Sequence, residues 1–163
     1  MAAAELTIRE FCAGDEAAFR RLNEEWISKY FTIEAADEAT IADPWGKILN
    51  PGGRIFLAFQ NGEAVGCCAL VVKGPTEYEV AKTAVTERAR GGGIGRRLLE
   101  KVIAEGRTLG AQRLYLETNR KLVPAISLYE SVGFRHIPPE RVVPSRFARA
   151  NVFMELFLGL IGP

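Results

Sequence analysis

The sequence predicts a single α/β (α+β) domain, with a mixed, mostly antiparallel central sheet of about six to seven strands flanked by about four helices. Three observations predict it. Strand and helix patterns follow one another in the order β-α-α-β-β-β-α-β-α-β-β along the 163 residues. Asn61-Gly62, set between two apolar β-rich runs, is the strongest short-range hairpin signal. Residues 88–100 join a glycine-rich turn directly to a strongly amphipathic helix. A chain of this length makes one ordinary domain, here residues 1–163, and buries roughly two thirds of the surface its unfolded form exposes.

Residues 6–10 read as a short opening strand. A helix runs from about Asp15, a good N-cap residue, to Tyr30, because Phe19, Leu22 and Trp26 recur at spacings of three and four. Residues 35–49 predict a second, less regular helix, interrupted near Asp43-Pro44 and ended by Pro51-Gly52-Gly53. Runs at 54–60 and 64–73 flank the hairpin turn, and Gly74-Pro75 leads into a third antiparallel strand at 76–85. The next helix places Ile94, Leu98, Leu99, Val102, Ile103 and Leu109 on one side and ends at Gly110. Residues 113–118 predict a further strand. Pro124 stands where a first helical residue would; Ala125, Leu128, Tyr129 and Val132 make one face, and Gly133 stops the helix. Residues 134–137 and 151–160 predict the closing strands, joined by a Pro-rich loop at 138–149.

Composition narrows the function. With 48% hydrophobic and 25% charged residues and a net charge of +1, the chain lacks the basic surface of a general nucleic-acid binder, and no nucleic-acid partner is expected. The first five residues are too short and too acidic for a signal peptide, and the apolar tracts 64–72 and 152–161 are too short to span a bilayer. A cytoplasmic protein with no membrane partner is the expectation. Cys12, Cys67 and Cys68 form no CxxC, and with His136 the single histidine, neither a zinc set nor a disulfide framework is expected. Cys67-Cys68 reads as two small hydrophobes on a buried strand.

The glycine-rich turn carries the chemistry. A helix N-terminus leaves about four backbone N–H groups without intrahelical partners and bears roughly half a positive charge, so phosphate oxygens are natural ligands there. Gly91, Gly92, Gly93 and Gly95 remove the Cβ atoms that would hold an anion away, and Arg88, Arg90, Arg96 and Arg97 surround the turn with cations. A flexible basic connector is the bland alternative. A P-loop is excluded because Gly95 is followed by Arg96-Arg97-Leu98, with no Lys-Ser/Thr for nucleotide and magnesium. A dinucleotide fold is excluded because Gly91-x-Gly93 is followed by Arg96 and several strands precede it.

What remains, Arg90-x-x-Gly93-x-Gly95 after the strand 79–85, resembles the acetyl-CoA pyrophosphate loop of the GCN5-related N-acetyltransferase (GNAT) superfamily. The segment from Ala125 to Phe134 resembles a second hallmark of that family, Ala-x-x-Leu-Tyr-Glu-x-x-Gly-Phe. The resemblance implies a GNAT fold over nearly the whole chain, with the sheet splayed between its fourth and fifth strands. It further implies an acetyl-CoA-dependent N-acetyltransferase, with acetyl-CoA as co-substrate, no metal, and a primary amine of a small molecule, amino acid or peptide as acceptor. It leaves room for a homodimer.

Acetyl transfer to an amine must remove a proton from the amine and deliver one to the leaving thiolate. An amine of pKa about 10.4 is neutral in roughly one molecule in a few thousand at neutral pH, a handicap of about 4.6 kcal/mol. By resemblance, Glu79 takes the position of the general base, with a solvated strand carboxylate as the alternative. Period-two geometry expects Glu79, Ala81, Thr83 and Val85 on one face. Tyr129 takes the position of the general acid, or of a hydrogen-bond donor to the thiolate, with packing as the alternative. The resemblance places an oxyanion-type backbone N–H at Thr83 and cofactor contacts at Thr83, Ala84, Val85, Arg90, Gly91, Gly92, Gly93, Ile94, Gly95, Arg96 and Tyr129.

Two positions depart from the family pattern. Leu122 stands where many members carry an asparagine for the pantetheine arm; Asn119 offers a replacement or is a strand-end turn residue. Gly92 replaces a usual polar residue. Analogy puts the acceptor between Trp26, Tyr30, Phe31, Glu34, Asp37 and Glu38 on the early helices and Arg141, Arg146 and Arg149 on the late loop. Carboxylates there would hold an ammonium and arginines a carboxylate, with solvated charged faces as the alternative. A non-catalytic acyl-CoA-binding or sensing module is the competing function; it would keep the cradle without needing Glu79 and Tyr129.

Overall fold

The computed structural model describes residues 5–159. The helices are α1 (Glu16–Tyr30), α2 (Ala35–Ala42), α3 (Ile94–Thr108) and α4 (Val123–Ser131). The strands are β1 (Leu6–Glu10), β2 (Arg54–Gln60), β3 (Glu63–Gly74), β4 (Glu77–Val85), β5 (Arg113–Thr118), β6 (Arg135–His136) and β7 (Val152–Phe157). They form one seven-stranded sheet in the order β1-β2-β3-β4-β5-β7-β6, in which only β4 and β5 run parallel. The expected strand at 134–137 shrinks to two residues, and the expected last residue of β7, Leu160, lies outside the described residues, as do Met1 to Ala4.

Local chemistry explains most boundaries. Asn61 (φ 52°) and Gly62 (φ 74°) both take the left-handed turn that an Asn-Gly hairpin demands. The second helix breaks where expected: α2 ends at Ala42, and Pro44 opens a separate π-helical turn, Trp45–Leu49. Gly53 is needed beyond it, since a Cβ there would sit 2.3 Å from the Leu70 carbonyl and 2.6 Å from that of Ile48. Asp15 does precede α1, but its side chain makes no cap bond. Its carboxylate takes the Arg9 guanidinium at 2.7 Å and the Cys12 N–H at 2.8 Å, and a charged, two-pronged partner outcompetes a helix N–H.

The sheet divides two cores. Phe56, Cys68, Leu70, Val80, Leu98, Leu99 and Leu114 fill the side under α3, and α4 packs against it; Phe19, Leu22, Ile55, Leu57, Cys67 and Ala69 fill the side under α1. The adjacent cysteines thus serve opposite cores, and burial pushes both thiols up, Cys68 to about 12. They act as small apolar side chains, not as nucleophiles.

Strand β4 is irregular at two places. First, β4 and β5 pair from Glu77↔Arg113 to Glu79↔Tyr115 and no further, so from Val80 onward the β4 edge facing β5 has no strand partner. This is the expected splay. Second, Cys67 lies opposite Ala84 and Ala69 opposite Ala81, so Lys82 and Thr83 together face Cys68 in a β-bulge, with Lys82 at φ 52°. The bulge corrects the period-two expectation. Glu79 and Ala81 lie over the α1 core, opposite Val71 and Ala69, whereas Thr83 turns to the other face and brings its Oγ1 to 3.2 Å from Cys68 Sγ.

Candidate functional site

A cleft of about 680 Å³ opens where β4 and β5 part. Its mouth is the turn before α3. Gly93 is the N-cap at φ 79° and Gly91 stands at φ 85°, backbone states that L side chains rarely adopt. The first intrahelical bond of α3 runs from the Arg97 N–H to the Gly93 carbonyl at 3.1 Å, which leaves the preceding helical N–H groups free for a ligand. Gly91, Gly93, Ile94, Gly95, Arg90 and Arg96 all line the cleft; Gly92 is exposed beside it.

The arginines divide. Arg90 lies along the cleft wall, donating to the Val85 carbonyl at 3.2 Å and to the Tyr30 hydroxyl at 2.9 Å, which holds the Tyr30 phenol below its ordinary pKa. Arg96 bridges α3 to α4 through Ser131 Oγ at 2.7 Å. Arg88 instead pairs with Glu63, and neither Arg88 nor Arg97 lines the cleft, so two of the four expected cations stand at it.

Deeper in, Tyr129 on α4 faces β4. Burial pushes its phenol up to about 12, with the neighbouring Cys68 adding to the rise and the Thr83 hydroxyl pulling back. The ring packs edge-on against Phe134 at 6.0 Å, which keeps the phenol in place. The bulge therefore turns the Thr83 side chain to the Cys68 side of the sheet, the side against which α4 packs, which the sequence does not announce. Glu79 lines the same cleft; burial, and then the nearby Glu117 carboxylate, push its carboxyl above the ordinary range, while Lys73, Arg146 and Lys82 pull the other way.

The acceptor side differs from expectation. Trp26, Tyr30 and Phe31 line the cleft, but Glu34 does not. Asp37 is fully buried and takes Arg149 through both guanidinium nitrogens at 2.6 Å, Lys82 Nζ at 2.7 Å and the Glu34 N–H at 2.9 Å. Glu34 receives the Ala148 N–H at 2.9 Å and Arg149 at 3.3 Å, Glu38 pairs with Arg20, and Arg141 pairs with Glu155. Apart from Arg146, which is exposed over the Phe147 ring, the carboxylates and arginines expected to clamp the two ends of a substrate thus clamp protein elements, because opposite charges brought together by the fold neutralise one another before any ligand arrives.

Asn119 lines the cleft with its amide engaged. Its Nδ2 donates to the Arg149 carbonyl at 2.7 Å and its Oδ1 accepts the Lys121 N–H at 2.8 Å, the bonding of a strand-end turn residue. Lys82, Glu117 and Phe147 are wall residues with chemistry that the sequence does not announce. Glu117 was findable, since it follows Tyr115 by two on one strand and accepts the Tyr115 hydroxyl at 2.8 Å. Phe147 sits in a loop without periodicity, and Lys82 owes its direction to the bulge.

Among the described residues, no three or more His, Cys, Asp or Glu side chains are grouped to hold a metal ion, and no helix is long and apolar enough to cross a membrane.

A family model described as Acetyltransferase (GNAT) family matches residues 17–134, from α1 through Phe134. The chain belongs to the GNAT acetyltransferase family. Among relatives, the IAA acetyltransferase of Azospirillum brasilense is 40% identical over 88 residues, 53% of this chain and 58% of that protein, so the match spans a little over half of each. An uncharacterized N-acetyltransferase of Schizosaccharomyces pombe, C1271.07c, is 30% identical over 74% of this chain and 77% of its own length. Among solved structures, a GNAT-family acetyltransferase of Staphylococcus aureus superposes with a TM-score of 0.87 at 23% identity, covering 95% of this chain and all of the other. YncA of Salmonella typhimurium, solved with its cofactor acetyl-CoA, superposes with a TM-score of 0.75 at 21% identity over 95% of both chains. At these identities the structures establish the GNAT fold. The cradle, the splay and the tyrosine helix of this family all lie inside the matched region.

Proposed function

We propose that this chain transfers the acetyl group of acetyl-CoA directly to a primary amine. The observation that carries the reading is the continuity of one cleft from the glycine turn, through the gap between β4 and β5, to Tyr129 and Glu79. Acetyl-CoA, when bound, supplies an activated thioester and a thiolate leaving group. The residues fit it: free N–H groups at the start of α3 and the Arg90 and Arg96 side chains suit a pyrophosphate, and the unpaired stretch of β4 at Thr83, Ala84 and Val85 offers backbone bonds to an extended amide arm.

Each side chain then has a task. Glu79, its carboxyl held above the ordinary range, accepts the proton the amine must lose. Tyr129, with a phenol at about 12, keeps its proton at neutral pH and donates it to the departing sulfur. The Thr83 N–H is the donor assigned to the carbonyl oxygen, where charge develops.

An acceptor screen monitored by thiol release tests this. Wild-type protein should release thiol from acetyl-CoA only when an amine is present. Tyr129→Phe keeps the ring packing and should lower kcat by roughly 10²-fold with acetyl-CoA affinity unchanged. Tight acetyl-CoA binding without thiol release on any amine would make the chain a binding module instead.

A further inference from the structure

The far end of the cleft has a charge balance that selects its occupant. Lys82 and Arg149 are the cations on that wall, and Asp37 and Glu34 neutralise them within the protein. Glu79 and Glu117 are the wall carboxylates there, and neither enters an ion pair among the described residues. Glu117 is held by the neutral hydroxyls of Tyr115 and Ser145. Lys73 and Arg146 act on Glu79 from outside the cleft: the Lys73 ammonium lies 4.4 Å over the Tyr115 ring and the exposed Arg146 lies 5.6 Å over Phe147. Glu79, without a hydrogen-bond or ion-pair partner among the described residues, and Glu117, bonded only by neutral hydroxyls, are two carboxylates without a countercharge in a partly dry cleft, and they call for a cation.

The cleft also has an aromatic wall. Trp26, Tyr30 and Phe31 come from the end of α1 and Phe147 from the late loop. Trp26 and Phe31 meet edge to face at 6.3 Å, and the Arg149 guanidinium sits 4.7 Å from Phe147, 5.9 Å from Trp26 and 6.0 Å from Phe31, bracing the rings. Such a wall rewards an apolar body of ring size.

From this pairing of carboxylates that lack a countercharge with an aromatic wall, we infer that the acceptor is a primary amine carried on an apolar, ring-sized body without a carboxylate. The inference rests on the acetyl-transfer reading and names its substrate class. Amino acids are disfavoured because their carboxylate would enter beside Glu79 and Glu117, where the nearest wall cations are already taken.

Three probes decide it. 2-Phenylethylamine has the ring and the amine, phenylalanine adds only a carboxylate, and ethylamine lacks the ring. In the thiol-release assay, kcat/KM for 2-phenylethylamine should exceed that for phenylalanine by roughly 10²-fold and that for ethylamine by about 10-fold. Glu117→Gln keeps the side chain's shape and should narrow the phenylethylamine-to-phenylalanine ratio by about tenfold. Calorimetry on protein saturated with CoA reads the same site without turnover, and should show 2-phenylethylamine binding and phenylalanine not. Equal use of phenylalanine, or preference for the polyamine spermidine, would overturn the inference and leave acetyl transfer standing. If no amine releases thiol, acetyl transfer fails, and the calorimetric ranking still decides the occupant: a CoA-loaded protein that binds none of the probes refutes it.

Discussion

Glu79 occupies the cleft wall with no hydrogen-bond partner among the described residues, and its burial, followed by the charge of Glu117, raises its carboxyl pKa. The sign of the consequence is fixed by linkage: a carboxyl whose folded pKa lies above its unfolded value favours folding while protonated, and that contribution is lost as pH rises through the folded value. Ionised Glu79 therefore weighs against stability at neutral pH. Glu79→Gln should raise Tm near pH 7, with the gap closing below about pH 4, where the wild-type side chain is neutral in both states. The same substitution should depress kcat/KM near pH 7 and recover much of it by about pH 10, where the amine sheds its proton unaided. A rate deficit unchanged across that range would assign Glu79 to orienting the acceptor. A more stable but slower variant is the signature of a residue kept for chemistry.

The start of α3 is the element on which cofactor affinity rests. Gly93 and Gly95 stand there for different reasons. Gly93 faces open space, yet at φ 79° any side chain would strain the backbone. A Cβ at Gly95 would lie 3.6 Å from Leu128 and 3.9 Å from Val85, ordinary contact distances across the gap between α3, α4 and β4. Gly95→Val should therefore fold while its methyl groups narrow the cleft mouth, weakening acetyl-CoA binding by about 2 kcal/mol or more, roughly 30-fold in Kd by calorimetry. Gly93→Ala should lose about 1 kcal/mol of stability before affinity is considered, read as a lower Tm. Unchanged affinity in folded Gly95→Val would remove the cradle as the phosphate site. The sequence showed that glycines crowd this turn; which of them serve φ and which serve space is visible only once α4 and β4 are beside them.

Across the whole molecule, Asp37 ties α2 to the β4 bulge through Lys82 and to the late loop through Arg149. Burial alone would raise its carboxyl; the hydrogen bonds from Arg149, Lys82 and the Glu34 N–H outweigh this and hold it at about 2 against an ordinary 3.8. A depressed carboxyl stabilises above its unfolded value and loses that contribution as pH falls through the folded one, here from about pH 4 to about pH 2. Asp37→Asn takes the one ion-pair partner from Lys82 among the described residues and leaves Arg149 with Glu34 alone, so it should cost about 3 kcal/mol at neutral pH. Its Tm deficit against wild type should shrink as pH falls through that window. A deficit of constant size would mean that packing, not charge, carries the role of Asp37.

The linear sequence was enough for most of what near neighbours set, the N-cap expected of Asp15 being the exception. The hairpin at Asn61-Gly62, the interruption at Asp43-Pro44, the glycine turn before α3 and the stop at Gly133 come from backbone sterics and from side-chain spacing within a few residues. Family motifs of that same local kind carried the fold and pointed to Glu79 and Tyr129, which the structure brings to one cleft. Tertiary structure alone decided the rest. The bulge at Lys82 sends Thr83 to the face opposite Glu79, because Cys67 and Ala69 on β3 set the register. Asp37 and Arg149, 112 positions apart, neutralise each other instead of gripping a substrate. Glu79 and Glu117 keep their charges unpaired for the complementary reason: the fold delivers no cation to them within ion-pair distance among the described residues. Charge pairing depends on distance in space, and residue type and spacing along the chain do not encode it.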